Sequence, residues 1–212
     1  MEFHKFLLTE RFEHAFAFAI SRHRFQERKN IPSPYMTHLF SVTALVCENI
    51  GFICSDPQKC EEFAMIAMLH DTVEDQGGKE AYNDLLRTFG KFIANGVLML
   101  SDSIPENGHK PPKAIRNQTY LDKVLTDPVE FALISCCDKI HNLRSMYADS
   151  LVADSIEEFW SAFSASPEDT IKNYENLYEA FKTRLGTSSR VVKLFRDALD
   201  DVIENAFNRL PK

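Results

Sequence analysis

The segment "MLHDTVED", residues 68–75, holds the densest set of groups able to do chemistry. An apolar run, Met65 to Leu69, delivers the chain into His70 and Asp71, and Glu74 and Asp75 follow at once. Read as a helix, this spacing sets His70 against Glu74 and Asp71 against Asp75 at i,i+4, so all four groups border one patch. Adjacent residues diverge by about 100° on such a helix, yet His70 and Asp71 can still converge on one ion between them. Burying this much negative charge unpaired is prohibitive. A divalent cation resolves the difficulty, because imidazole and carboxylate are both ordinary metal ligands. A solvated acidic helix end is the plain alternative.

Further ligands must come from other helices. His38 stands in "PYMTHLFSVTALV", at a helix start that leads into an apolar stretch. Asp138 stands in "FALISCCDKIHNLRSM", at the end of a very apolar run, with Asn142 one turn later on the same face. Taken singly, His38 reads as a core or capping residue, and Asp138 with Asn142 as a hydrogen-bonded pair. The joint pattern favours a ligand set: one His on one helix, a His-Asp pair on a second and an Asp on a third. Nitrogen and oxygen donors of this kind are taken by divalent first-row metals, Mn2+, Fe2+ and Zn2+ among them.

The elements that would position these groups read as helices throughout. With 212 residues, 44% of them hydrophobic, the chain is long enough for one good core and one domain. Glycines number only seven, and no Val/Ile-rich alternating segment stands out. The pattern predicts a first helix ending near Arg28-Lys29-Asn30, a proline turn, and a second helix from about Tyr35 to Ile50 with Gly51 as its C-cap. A third helix spans about 56–72. A Gly-Gly break and a short helix closed by Gly90 follow, with Lys91 to Leu100 continuing helically. The turn-rich "SDSIPENGHKPP" is a loop. Helices are expected from Lys113 to Leu125 and from Pro128 to about Ala148. Two or three more lie within Ser155–Leu210, one starting at Ser166. The fold class is therefore all-α.

Thirty-one acidic against 24 basic residues, a net charge of −7, argue against non-specific nucleic-acid binding, but leave room for a local basic pocket. Five cysteines, without C-x-x-C spacing, suit buried thiols in a reducing, cytoplasmic compartment. The N-terminal residues lack a signal-peptide profile, and no apolar stretch is long enough to span a membrane.

The segments "RKNIPSPYMTH", "MLHDTVED" and "CCDKIHNLRSM" resemble the HD superfamily of metal-dependent phosphohydrolases. They resemble more closely the hydrolase domain of RelA/SpoT-type alarmone enzymes and its stand-alone small relatives, including metazoan ones. H-D-x-x-E-D with a downstream D-K-x-H-N-x-R marks this branch. The similarity runs over about 16–147, with helices of about 155–210 expected to pack on that core, making 1–212 one HD-type helical bundle. The resemblance implies that His38, His70, Asp71 and Asp138 hold a metal, usually manganese. It implies that Glu74 and Asp75 position and activate the attacking water. Arg28 and Lys29 would face substrate phosphates and Asn142 the nucleoside. Lys113 matches a phosphate-binding lysine and Tyr174 an aromatic beside the nucleotide. Leu39 departs from the family's Pro after the first ligand histidine, the 29–34 loop is slightly short, and Ser101-Asp102-Ser103 replaces a more acidic stretch.

The activity so implied is Mn-dependent hydrolysis of the 3'-pyrophosphate of ppGpp or pppGpp, as in the stringent response, by a small stand-alone hydrolase. Alternatives keep the site and change the substrate: an adenosine alarmone of the pppApp type, the 2'-phosphate of NADPH, or pyrophosphorylated tRNA as in antitoxins. A nucleotide sensor without turnover is a further alternative, against which the intact Glu74 and Asp75 speak. The expected partner is a small-molecule nucleotide.

Overall fold

The computed structural model describes residues 2–29, 31–101 and 112–210. The expected loop from Ser101 to Pro112 falls almost wholly outside them, as does Asn30. Among the described residues there is no strand, only an isolated bridge between Glu27 and Pro34. The helices in chain order are α1 (Glu10–His23), α2 (Met36–Asn49), α3 (Pro57–Leu69), α4 (Thr72–Asp75) and α5 (Lys79–Leu100). After these come α6 (Lys113–Thr126), α7 (Val129–Val152), α8 (Ile156–Ser161), α9 (Pro167–Leu185) and α10 (Arg190–Val202). The all-α class read from the sequence is the observed one.

Two helices organise the core because they are apolar nearly all round, which a helix tolerates only when it is surrounded. In α7 every residue from Phe131 to Asp138 is buried. In α3 the whole run from Phe63 to Leu69 is buried. Helix α7 packs on α10, α2 and α9, while α3 packs on α2, α1 and α5. Local signals start several helices: Asp56 caps α3 ahead of Pro57, and the Ser155 and Ser166 hydroxyls accept backbone N–H groups of α8 and α9.

Three expectations are corrected. Helix α1 ends at His23, short of Arg28, because the chain there pairs with the strand-like return to Tyr35. Tyr35 N–H donates to the Gln26 carbonyl, and Arg28 N–H to that of Ser33. Gly51 is not a positive-φ cap. It lies buried in a 3-10 turn, Ile50–Phe52, where a Cβ would stand 2.5 Å from the His4 carbonyl oxygen. The third helix stops at Leu69, so the chemical motif does not lie on one continuous helix. His70 and Asp71 form a break, with Asp71 at φ −89° and ψ −1°, before the single turn of α4. Gly90, by contrast, sits at φ +82° and kinks α5 where the sequence expects one helix to close.

Candidate metal centre and substrate cleft

The buried first turn of α2, the end of α3 and the middle of α7 meet at one point. There the donor atoms of His38, His70 and Asp138, all buried, lie within 4.8 Å of one another. His38 Nε2 is 3.3 Å from Asp138 Oδ1 and 3.4 Å from Asp71 Oδ2. His70 Nε2 is 3.0 Å from Asp71 Oδ2 and 4.0 Å from Asp138 Oδ1. The break after Leu69 makes this possible by turning Asp71 back over His70. For octahedral bonds of about 2.1 Å, adjacent donors stand about 3.0 Å apart and opposed donors about 4.2 Å. The four histidine–aspartate separations fall in that interval.

The donor chemistry fits a cation. His70 Nδ1 must donate to the Ala67 carbonyl, 2.8 Å away, since a carbonyl only accepts. Its Nε2 is fully buried, faces Asp71 and Asp138, and makes no well-aligned hydrogen bond among the described residues. A nitrogen so placed between two carboxylates calls for positive charge. The titration behaviour expresses the same deficit. Burial disfavours a charged His70, but the Asp71 carboxylate outweighs it and lifts the imidazole to about 9. Asp71 and Asp138 are held below the usual carboxylate range, burial being overcome by His70 for the first and by Lys139 and His38 for the second.

Each donor also has an outer partner that aims it, as metal ligands ordinarily do. Tyr35 OH donates to Asp71 Oδ2 at 2.7 Å. Lys139 Nζ donates to Asp138 Oδ2 at 2.7 Å and lies over the Tyr120 ring. Asn142 Nδ2 donates to Asp138 Oδ1 at 2.7 Å. His141 and His38 meet through their Nδ1 atoms at 2.8 Å.

The centre opens onto a cleft of about 620 Å³. Asp71, Glu74 and Asp75 form one wall, Arg28, Lys29 and Tyr35 another, and Lys113, Arg116, Asn142 and Tyr174 also line it. Asp75 Oδ2 accepts from Gln26 Nε2 at 2.8 Å, and Gln26 Oε1 is in turn held by His23 Nδ1 at 2.7 Å. Arg28 donates to Asn142 Oδ1 at 3.2 Å, with its guanidinium over the Tyr35 ring. Partial desolvation, then the charges of Arg116 and Lys29, lower the Lys113 ammonium, so three cations share one neighbourhood. A second chamber of about 210 Å³ adjoins the cleft behind Lys113 and Tyr174.

All eleven residues singled out in the sequence therefore gather at one place: four around the centre, and the others along its cleft. Asn142 is engaged on both sides, between Arg28 and Asp138. Sequence reasoning did not pick out Tyr35, Gln26, Arg116, Lys139 or His141. Lys139 and His141 were within reach, as the unassigned positions of D-K-x-H-N-x-R.

The all-α bundle thus draws two histidines and two aspartates together from neighbouring helices. No family model matches the chain. It is 28% identical over 134 residues to GTP pyrophosphokinase rsh of Brucella melitensis, covering 62% of this chain and 16% of that protein. It is 30% identical over 159 residues to the probable GTP diphosphokinase RSH2, chloroplastic, of Arabidopsis thaliana, covering 70% and 20% respectively. The chain thus spans about a fifth or less of the length of these curated relatives. Among solved structures, a metazoan ortholog of SpoT that hydrolyzes ppGpp and plays a role in starvation responses superposes with a TM-score of 0.64. The two are 21% identical, over 94% of this chain and 97% of that one. The protein lmo0812 of Listeria monocytogenes EGD-e superposes with a TM-score of 0.60 at 20% identity, over 80% and 98%. These likenesses establish a shared fold, and the resemblance to RelA/SpoT-type hydrolases read from the motifs is borne out. No helix among the described residues is long and apolar enough to cross a membrane.

Proposed function

We propose that the protein hydrolyses the 3'-pyrophosphate of guanosine alarmones, converting ppGpp or pppGpp to GDP or GTP and pyrophosphate. His38, His70, Asp71 and Asp138 would hold one divalent cation, manganese first among the candidates. The observation that carries the reading is the pairing of a donor cluster short of positive charge with a cleft that combines carboxylates and cations. The hydrolysis of ppGpp by the metazoan SpoT ortholog, whose fold this chain shares, supports the choice of substrate.

When bound, the cation acidifies a water and offsets charge on phosphoryl oxygens. The chain's own residues do the rest. Asp75 is fixed through Oδ2 by Gln26, which leaves Oδ1 to accept a proton from the water. Glu74 lines the same wall and orients that water from the other side. Arg28 is tied to Asn142, lies over the Tyr35 ring and lines the cleft, so its guanidinium is positioned to meet a phosphate there. Lys29, Lys113 and Arg116 add charge where a pyrophosphate would spread its own. Gripping both phosphates makes pyrophosphate leave as one fragment. Tyr174 offers a ring to the nucleoside.

The test is product analysis by phosphorus NMR, with the Mn2+-loaded protein and a panel of ppGpp, pppApp, NADPH and pyrophosphorylated tRNA. Brisk turnover of ppGpp with pyrophosphate as the first product is expected. Orthophosphate as the first product, or turnover of NADPH without ppGpp, overturns the reading.

A further inference from the structure

Helix α7 addresses both nitrogens of a single imidazole. Asp138 Oδ1 lies 3.3 Å from His38 Nε2, and one turn on, His141 Nδ1 lies 2.8 Å from His38 Nδ1. The two rings stand 4.9 Å apart at 56°, an edge approach that suits a hydrogen bond and not a stack. Two ring nitrogens at 2.8 Å must share one proton, one donating and the other accepting. Which one donates decides whether His38 can bind a cation. If His38 Nδ1 carries the proton, Nε2 is bare and faces Asp71 and Asp138. If His141 carries it there, a neutral His38 has its proton on Nε2, and the ligand position is blocked.

The donor set selects the first arrangement. A cation held together with His70, Asp71 and Asp138 takes a bare His38 Nε2, so the proton of a neutral His38 sits on Nδ1. Two protonated ring nitrogens do not meet at 2.8 Å, so His141 Nδ1 receives that proton with its lone pair. Asn142 and Ser145 of the same helix line the cleft and His141 does not, which puts its action on the ligand.

We propose that His141 is a positioning residue for the metal centre: a neutral imidazole that accepts the Nδ1 proton of His38 and so keeps His38 Nε2 bare for the cation. The inference rests on the metal-centre reading of His38, His70, Asp71 and Asp138. Of the two histidine ligands, His70 is set by a main-chain carbonyl, which no substitution removes. His38 is set by a side chain, and its setting can be changed. Losing an outer-shell partner of this kind weakens metal binding by about 10- to 100-fold.

The experiment titrates metal-free protein with Mn2+, following free Mn2+ by electron paramagnetic resonance, for the parent chain and three variants. His141→Leu removes the acceptor, His141→Lys offers only a donor, and His141→Gln restores an accepting oxygen. Thermal melts of the metal-free variants check that each is folded. The expected result is Mn2+ affinity about 10- to 100-fold weaker for the Leu and Lys variants, with His141→Gln within a few-fold of the parent. A merely structural role would move the melts and not separate Gln from Lys. If Lys and Gln bind Mn2+ equally, or all three match the parent, His141 does not set the His38 tautomer. If the parent chain itself binds no Mn2+, the metal-centre reading falls, and this inference with it.

Discussion

Asp138→Asn separates two roles that one carboxylate plays. Oδ1 faces the histidine donors, while Oδ2 neutralises Lys139 at 2.7 Å in a site where the two side chains are 12% and 23% exposed. The substitution is nearly isosteric, so its effect is electrical. It replaces an anionic donor at the candidate centre with a weaker, neutral amide oxygen and leaves the Lys139 ammonium without its counter-charge. Breaking a buried pair from one side costs about 3–5 kcal/mol, and the residual exposure of the lysine puts this case near the lower end, about 3 kcal/mol. For a chain of this length, that corresponds to a fall in Tm of about 6–12 °C. A second substitution distinguishes the roles. Lys139→Met, added to Asp138→Asn, removes the orphaned charge and restores most of the Tm, but it cannot restore metal binding. Scanning calorimetry of the metal-free proteins and Mn2+ content after dialysis read the two effects separately. Mn2+ retained at full occupancy in Asp138→Asn would refute the ligand assignment. An unchanged Tm would refute the pairing with Lys139.

Glu74→Gln should keep the cation and lose about 10²-fold or more in kcat; weakened metal binding with unchanged kcat would make Glu74 a ligand instead. Arg28→Ala should reduce kcat/KM more for 3'-diphosphate substrates than for 2'- or 3'-monophosphates, since the latter use only part of the clamp; equal losses would remove Arg28 from that role. In the metal-free protein His70 is raised from 6.5 to about 9. Its contribution to stability is therefore complete below 6.5 and lost as the pH rises through about 9. Melts across that window should fall for metal-free protein and stay flatter with Mn2+, which takes over the proton's place; parallel curves would contradict this. Gly51→Ala forces a Cβ to within 2.5 Å of the His4 carbonyl oxygen and should cost about 1–3 kcal/mol, read from the Tm, with kcat unchanged.

The parts of this structure that the sequence made legible are those set by local pattern. The apolar runs into His70 and Asp138 marked α3 and α7 because a buried helix needs such runs, and the start at Ser166 marked α9. What the pattern could not show was tertiary in origin. "SRHRFQERKN" is helix-forming residue by residue, and it leaves the helix where Gln26 and Arg28 pair with the returning segment Ser33–Tyr35. Gly51 looked like a cap, but close approach of the N-terminal segment is what requires it there. The break at His70-Asp71 was hidden because the spacing of its residues also suits a continuous helix, and it is the break that turns Asp71 onto His70. The candidate ligands were legible because His and Asp at the ends of apolar runs conflict with burial. Their partners were not, because Tyr35, Lys139 and His141 each look ordinary until the residue across from them is known.

The central claim is that one divalent cation, held by His38, His70, Asp71 and Asp138, enables phosphohydrolysis in the adjoining cleft. The most direct measurement is to titrate chelator-stripped protein with Mn2+ while following release of pyrophosphate from ppGpp. The account predicts no release without the ion, a linear rise up to one equivalent per chain, and a plateau beyond it. Full release by the stripped protein, or none at any Mn2+ concentration with the ion demonstrably bound, would contradict it.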